Sequence, residues 1–98
     1  MSIDIHHNDL SVINNYTFKL IQAECFIPVS PKFLASADSI SYALFQQLST
    51  LLLQPIEEFN GKVVSFNVNG IVKESKIEED GSILVNTRVE FLVFNKHY

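Results

Sequence analysis

The chain has 98 residues, of which 47% are apolar and 18% charged, with a formal net charge of −4. This composition excludes a disordered polar segment, which combines low hydrophobicity with high net charge. Its longest aliphatic run, Leu51-Leu52-Leu53, falls far short of the roughly 18 apolar residues of a membrane helix. The length allows one core.

Charge and cysteine usage narrow the classes further. Lys19, Lys32, Lys62, Lys73, Lys76, Arg88 and Lys96 are scattered, with no two adjacent. No basic stripe exists to displace counterions, so specific nucleic-acid binding is not expected. Cys25 is alone, which rules out an intramolecular disulfide. The first residues lack the basic and then apolar regions of a secretory signal. The expected setting is a cytoplasm, or a particle assembled there.

Residues 1–15 mix Ile3, Ile5, Leu10, Val12 and Ile13 with Asp, Asn, Ser and His. Ile3 and Ile5 alternate, which predicts a short edge strand or arm, ended by the Asn14-Asn15 turn signal. Residues 16–98 read as a single α+β domain. Tyr16 to Val29 predicts a long strand in which the apolar phase flips. Tyr16, Phe18 and Leu20 share one face; Ile21, Ala23, Cys25 and Ile27 share the other. Either a bulge lies between Leu20 and Ile21, or the two halves bury opposite faces. Pro28 and Pro31 end the strand.

Ser36 to Leu53 predicts the one helix, with Ala37, Ile40, Leu44, Leu48, Leu51 and Leu52 at three- and four-residue steps. Ser36 or Asp38 is the expected cap, and Pro55 stops the helix near Leu53. Lys62 to Glu74 predicts a second strand burying Val64, Phe66, Val68 and Val72. A polar connection, Glu74 to Ser82, leads to a third strand, Ser82 to Asn95. Ile83, Val85, Val89, Phe91 and Val93 share its inner face. Asn86, Arg88 and Glu90 lie opposite, joined near the end by Leu92 and Phe94. The expectation is an α+β fold: an antiparallel sheet of three to four strands, one helix on one face, in the order (β)-β-α-β-β.

One helix covers one face of such a sheet. Leu92, Phe94, Tyr16 and Phe18 are then left on the uncovered face, and each large side chain kept in water forfeits roughly 1.5–3 kcal/mol of burial. The helix points Ser39, Gln46, Gln47, Ser49 and Thr50 outward and carries no charge beyond Asp38. Such a face meets another chain without desolvating ions. Phe18, Gln46, Thr50, Leu92 and Phe94 are therefore the candidate contact residues. The bland alternative is that residues 1–15 fold over the open face.

No enzyme signature emerges. His6 and His7 are neighbours in an extended segment, where side chains point to opposite sides, so a solvated pair is favoured over a metal site. His97 stands next to the C-terminal residue. Cys25 lies between Glu24 and Phe26 and reads as a small buried hydrophobe. Glu78, Glu79 and Asp80, with Glu74, form an acidic cluster in the hairpin connection, where mutual repulsion and solvation are the default. Gly61, Gly70 and Gly81 form no phosphate loop or dinucleotide fingerprint. No cofactor or metal is expected.

The order of these features resembles a known family. A strand ending Glu24-Cys-Phe-Ile-Pro-Val29 leads into a Ser/Ala/Asp helix start and an Ala/Leu-rich helix. A long hairpin follows with the acidic, glycine-containing tip Glu78-Glu-Asp-Gly81, closed by Val89-Glu-Phe-Leu-Val-Phe94. Over residues 16–95 this resembles the tail terminator and tail completion proteins of long-tailed bacteriophages. Members carry a longer region before the first strand, where this chain has fifteen residues. The resemblance implies a non-enzymatic α+β subunit of a ring, homo-oligomeric, located in the virion and joined to other tail or neck proteins. It also implies that Glu78, Glu79 and Asp80 face a channel or a neighbouring ring, where negative charge repels DNA. A small acidic inhibitor or immunity protein that blocks another protein is the competing reading. An enzyme with sites between subunits would need clustered titratable residues, and the sequence offers none.

Overall fold

Period-two alternation of branched and aromatic residues builds four long strands, and one amphipathic segment builds the helix between them. The computed structural model describes residues 3–14 and 17–96. In chain order the elements are β1 (Asp4–Asn14), β2 (Phe18–Val29), α1 (Ala37–Ser49), β3 (Pro55–Ile56), β4 (Gly61–Ile77) and β5 (Ile83–Asn95). Short 3₁₀ turns at Pro31–Ala35 and Glu57–Phe59 flank α1 and β3. The strands form one antiparallel sheet in the order β1-β2-β5-β4-β3. This is the expected α+β architecture, with the two-residue β3 added at one edge. Tyr16 of the first predicted strand, Asn15 of the predicted turn, and His97 lie outside the described residues.

β1 takes the outer edge against β2, from Asp4 opposite Phe26 to Asn14 opposite Lys19. The alternative in which residues 1–15 cover the open face does not hold for Ile3 and Ile5. Both pack against the buried cluster on the helix side, because Ile5 pairs with the inward-facing Cys25.

The phase flip in β2 is resolved without a bulge in its pairing with β5. Register runs unbroken from Phe18 opposite Phe94 to Val29 opposite Ile83. Ile21, Ala23, Cys25, Ile27 and Val29 are buried toward the helix, while Phe18 and Leu20 occupy the opposite face. The strand buries the helix side from Ile21 onward, while its first residues leave Phe18 exposed and Leu20 half-buried on the open face.

α1 begins where the sequence signal places it. The Ser36 hydroxyl oxygen accepts a hydrogen bond from the Ser39 amide at 3.1 Å, satisfying one of the orphan donors of the first turn. The helix ends at Ser49, four residues before the predicted stop. Tighter bonds finish it, Leu51 N–H to the Leu48 carbonyl and Leu52 N–H to the Ser49 carbonyl. Leu53 then turns the chain at φ 62°. Its N–H donates to the Val63 carbonyl at 2.7 Å, tying the turn to β4. Ala43, Leu44 and Leu48 are the buried helix residues. They join Val85, Val89, Phe91 and Val93 of β5 in one buried cluster, and Phe59 packs on Phe91 with ring centroids 5.1 Å apart and the rings tilted by 47°.

β4 departs from its predicted pattern. It has 17 residues against 13 in β5, and three register shifts, at Val63/Ser65, Val68/Gly70 and Ile71/Ser75, absorb the surplus. The first shift corrects the predicted core. Val63, opposite Val93, is fully buried, whereas Val64 is only half-buried and shares the bulge opposite Leu92. Phe66 and Val68 keep their expected side, opposite Phe91 and Val89. The strand also runs on to Ile77, so Glu74 lies within β4 rather than in the hairpin connection.

Asn60, at φ 52°, turns the chain into β4, and Gly61 follows it at a close approach. A Cβ at Gly61 would collide with the Phe94 carbonyl and the Val93 side chain. Gly61→Ala is expected to destabilise the fold by about 1–3 kcal/mol, read as a lower denaturation midpoint in urea at unchanged m-value.

Candidate interaction surface

Alternation along β2 and β5 gives the uncovered face of the sheet a polar centre between apolar ends. Gln22 donates from its side-chain amide to Glu90 at 3.4 Å. Arg88 lies 4.0 Å from Glu24, both of them solvated, so this pair adds little stability. At one end Phe18 and Phe94 meet edge-to-face with ring centroids 5.4 Å apart. Leu20 pairs with Leu92 beside them. Phe18 is 36% exposed and Phe94 41%. A groove of about 570 Å³ continues from Phe94 past Ile56, Gly61 and Lys62. Three of the five candidate contact residues, Phe18, Leu92 and Phe94, thus form one patch.

Gln46 and Thr50 lie elsewhere. Gln46 lies in the last turns of α1 and Thr50 caps its C-terminus; both line a groove of about 620 Å³ with Val29, Phe33 and the hairpin tip. Asp80 lines the same groove, while Glu78 and Glu79 do not. The structure therefore joins one acidic residue to two contact candidates and separates both from the Phe18 patch.

Asp80 itself is tied up locally. Its carboxylate accepts from the Ser82 hydroxyl at 2.7 Å and from the Ser82 amide at 3.0 Å. The Ser82 carbonyl accepts from the Glu78 N–H at 2.8 Å, closing the tip. The hydroxyl bond first, and the amide bond second, hold the Asp80 carboxyl below its ordinary value of 3.8. This arrangement organises the turn, as Asx turns do.

A third surface escaped the sequence reading. Tyr42 and Phe45, on the outward side of α1, are 58% and 60% exposed. Phe45 leans on Phe66 with centroids 5.4 Å apart. Leu44, Phe45, Phe66, Val68 and Ile71 line a groove of about 310 Å³ between the helix and β4. A readable signal existed: Tyr42 and Phe45 fall outside the Ile40–Leu44–Leu48 stripe, so they cannot face the same core. The contribution of β4 was hidden by its bulges.

The remaining candidates carry no assembled chemistry. Cys25 is fully buried in mid-strand. His6 and His7 stand in β1 opposite Glu24 and Ala23. Among the described residues no three His, Cys, Asp or Glu side chains gather to hold a metal. Among the described residues no helix is long and apolar enough to cross a membrane. No family model matches the chain, and no curated protein or solved structure matches it.

A lowered carboxyl pKa stabilises the folded tip above its unfolded value and ceases to do so as the pH falls through the lowered one. The Ser82 amide is expected to be protected from hydrogen exchange near neutral pH. That protection should weaken only below 3.8, the ordinary carboxyl value. In Asp80→Ala it should be weak at every pH, as amide exchange followed by NMR would read.

Proposed function

We propose that the chain is a non-enzymatic structural subunit that works by assembling with copies of itself. The observation that carries this reading is the exposed apolar surface at two separate places. One is the Phe18–Phe94 patch on the open face; the other is Phe45 with the adjoining Phe66, Val68 and Ile71 of β4. Contiguous surface of this kind marks interfaces. The helix beside the second patch carries a single charge, Asp38, and interface cores are depleted of charge in the same way.

The element order supports a more concrete form, a ring-forming tail terminator or completion component of a bacteriophage. On this reading the subunit sits in the virion, between other tail or neck proteins, and the acidic tip of Glu78, Glu79 and Asp80 faces a channel or a neighbouring ring. No step of it requires a cofactor or a reaction.

Light scattering from low to high micromolar concentration tests the reading. A defined oligomer is expected. Phe18→Ser combined with Phe94→Ser should lower the native mass, because it removes the rings from the open-face patch. The folded subunit should also lose the edge-to-face contact, about 0.5–1.5 kcal/mol beyond the area the two rings bury within it, so circular dichroism would check that the variant folds. A monomer at every concentration would overturn the reading in favour of an inhibitor that waits for a foreign target.

A further inference from the structure

Among the described residues, one buried side-chain polar atom has no hydrogen-bond partner in the protein, Oδ1 of Asn86. Asn86 is only 5% exposed, yet it stands on the face of the sheet away from the helix. Its neighbour in β2 is Phe26, which lies between Cys25 and Ile27, both buried toward the helix. A buried acceptor without a donor forfeits the hydrogen bond that water gave it in the unfolded chain, so an aliphatic side chain would be the more stable occupant of such a position.

The widest break in the β4 ladder lies at the same place. Ile71 is registered with Thr87, and Ser75 with Val85. Between those pairs β4 takes four residue steps where β5 takes two, and no residue of β4 is registered with Asn86. Val72, Lys73 and Glu74 thus have no opposite number in β5, and their backbone groups need partners from elsewhere. Thr87, fully buried on the helix side, has its hydroxyl 3.4 Å from the Val85 carbonyl, at the long end of the hydrogen-bond range. Two consecutive buried polar side chains, in a strand whose core is otherwise aliphatic and aromatic, therefore coincide with the gap.

We infer that Asn86 holds an ordered interior water, which bridges its side-chain amide to the backbone of β4 between Ile71 and Ser75. The inference stands apart from self-assembly and needs no second copy.

The chemistry of the place selects water. Interior waters make about three hydrogen bonds, to polar groups that the protein itself leaves unpaired. Here the water donates one proton to Oδ1 of Asn86 and the other to a carbonyl of the bulge, and accepts from a bulge N–H. A neutral amide both gives and takes hydrogen bonds, so the site is satisfied without burying a charge. A metal ion would call for carboxylate, thiolate or imidazole ligands, and among the described residues no three such side chains gather. A group on another chain cannot reach an atom buried to this degree. Past the gap, Lys76 opposite Leu84 and Ile77 opposite Ile83 are the last pairs before the acidic tip. The water closes the gap that separates these pairs from the rest of β4, and Asn86 is a positioning residue for the end of the strand that leads into the tip.

Magnetisation transfer from water, read by NMR on the unaltered chain, tests this directly. Cross-peaks of the sign that marks a slowly exchanging water are expected at the Asn86 side-chain amide and at one or more backbone amides of Val72, Lys73 and Glu74. Their absence overturns the inference. Asn86→Leu gives a second reading. It removes the bridge and leaves the bulge N–H groups unpaired, so amide exchange at Val72, Lys73 and Glu74 should rise about tenfold relative to Val89 and Phe91, and the urea midpoint should fall. If Oδ1 is unpaired in the wild type, N86L should instead raise the midpoint and leave the exchange ratio unaltered, and the inference falls. Should N86L fail to fold, the cross-peaks of the wild type decide.

Discussion

The structure depends on a mismatch of lengths. α1 has 13 residues, a rod of about 20 Å. β4 has 17 residues, about 55 Å if straight. One short rod cannot cover a sheet built on such a strand, so burial concentrates where helix, β2 and β5 meet. There Leu44 and Leu48 share one buried cluster with Cys25, Phe91 and Val93. What lies past the helix stays wet: Phe66 and Val68 are only partly covered, and Ile71 is half exposed.

The bulges of β4 are the second consequence. A 17-residue strand paired with a 13-residue one must shed register, and it does so at three places. Each added residue bends the strand and raises its local twist. The bends at Val64 and Asn69, with the one past Ile71, leave only Ser65–Val68 of the outer edge regular. Gly70, at φ 154°, sits at one of these places, where a side chain would be strained. The irregularity of β4 thus sets the size of the bare edge rather than merely marring a regular strand.

These features were unequally legible in the sequence. The strand–helix–hairpin order was readable because period-two and period-3.6 patterns are long and their stop signals strong: Ser36, Pro28 and Asn60-Gly61. The Phe18–Phe94 patch was readable too, since both residues break the apolar phase of their strands in the same direction. Val63 was not, because a single inserted residue puts the residues before and after it out of phase, and nothing in Val-Val-Ser announces which residue bulges. Leu53 hid the early end of α1, being apolar and in helical phase while adopting a left-handed backbone. Asp80 was visible as charge but not as a turn-former, because its role comes from Ser82 two residues on. That spacing is common to many solvated loops.

Between Ser65 and Ile71 the outer edge of β4 carries no charge, and an uncharged edge invites pairing. Two extra residues, Val64 and Asn69, break that edge and leave only Ser65–Val68 in regular alternation. Bulges turn an edge away from a further strand. The same insertions that let a 17-residue strand follow a 13-residue one therefore also shorten the template the sheet leaves open.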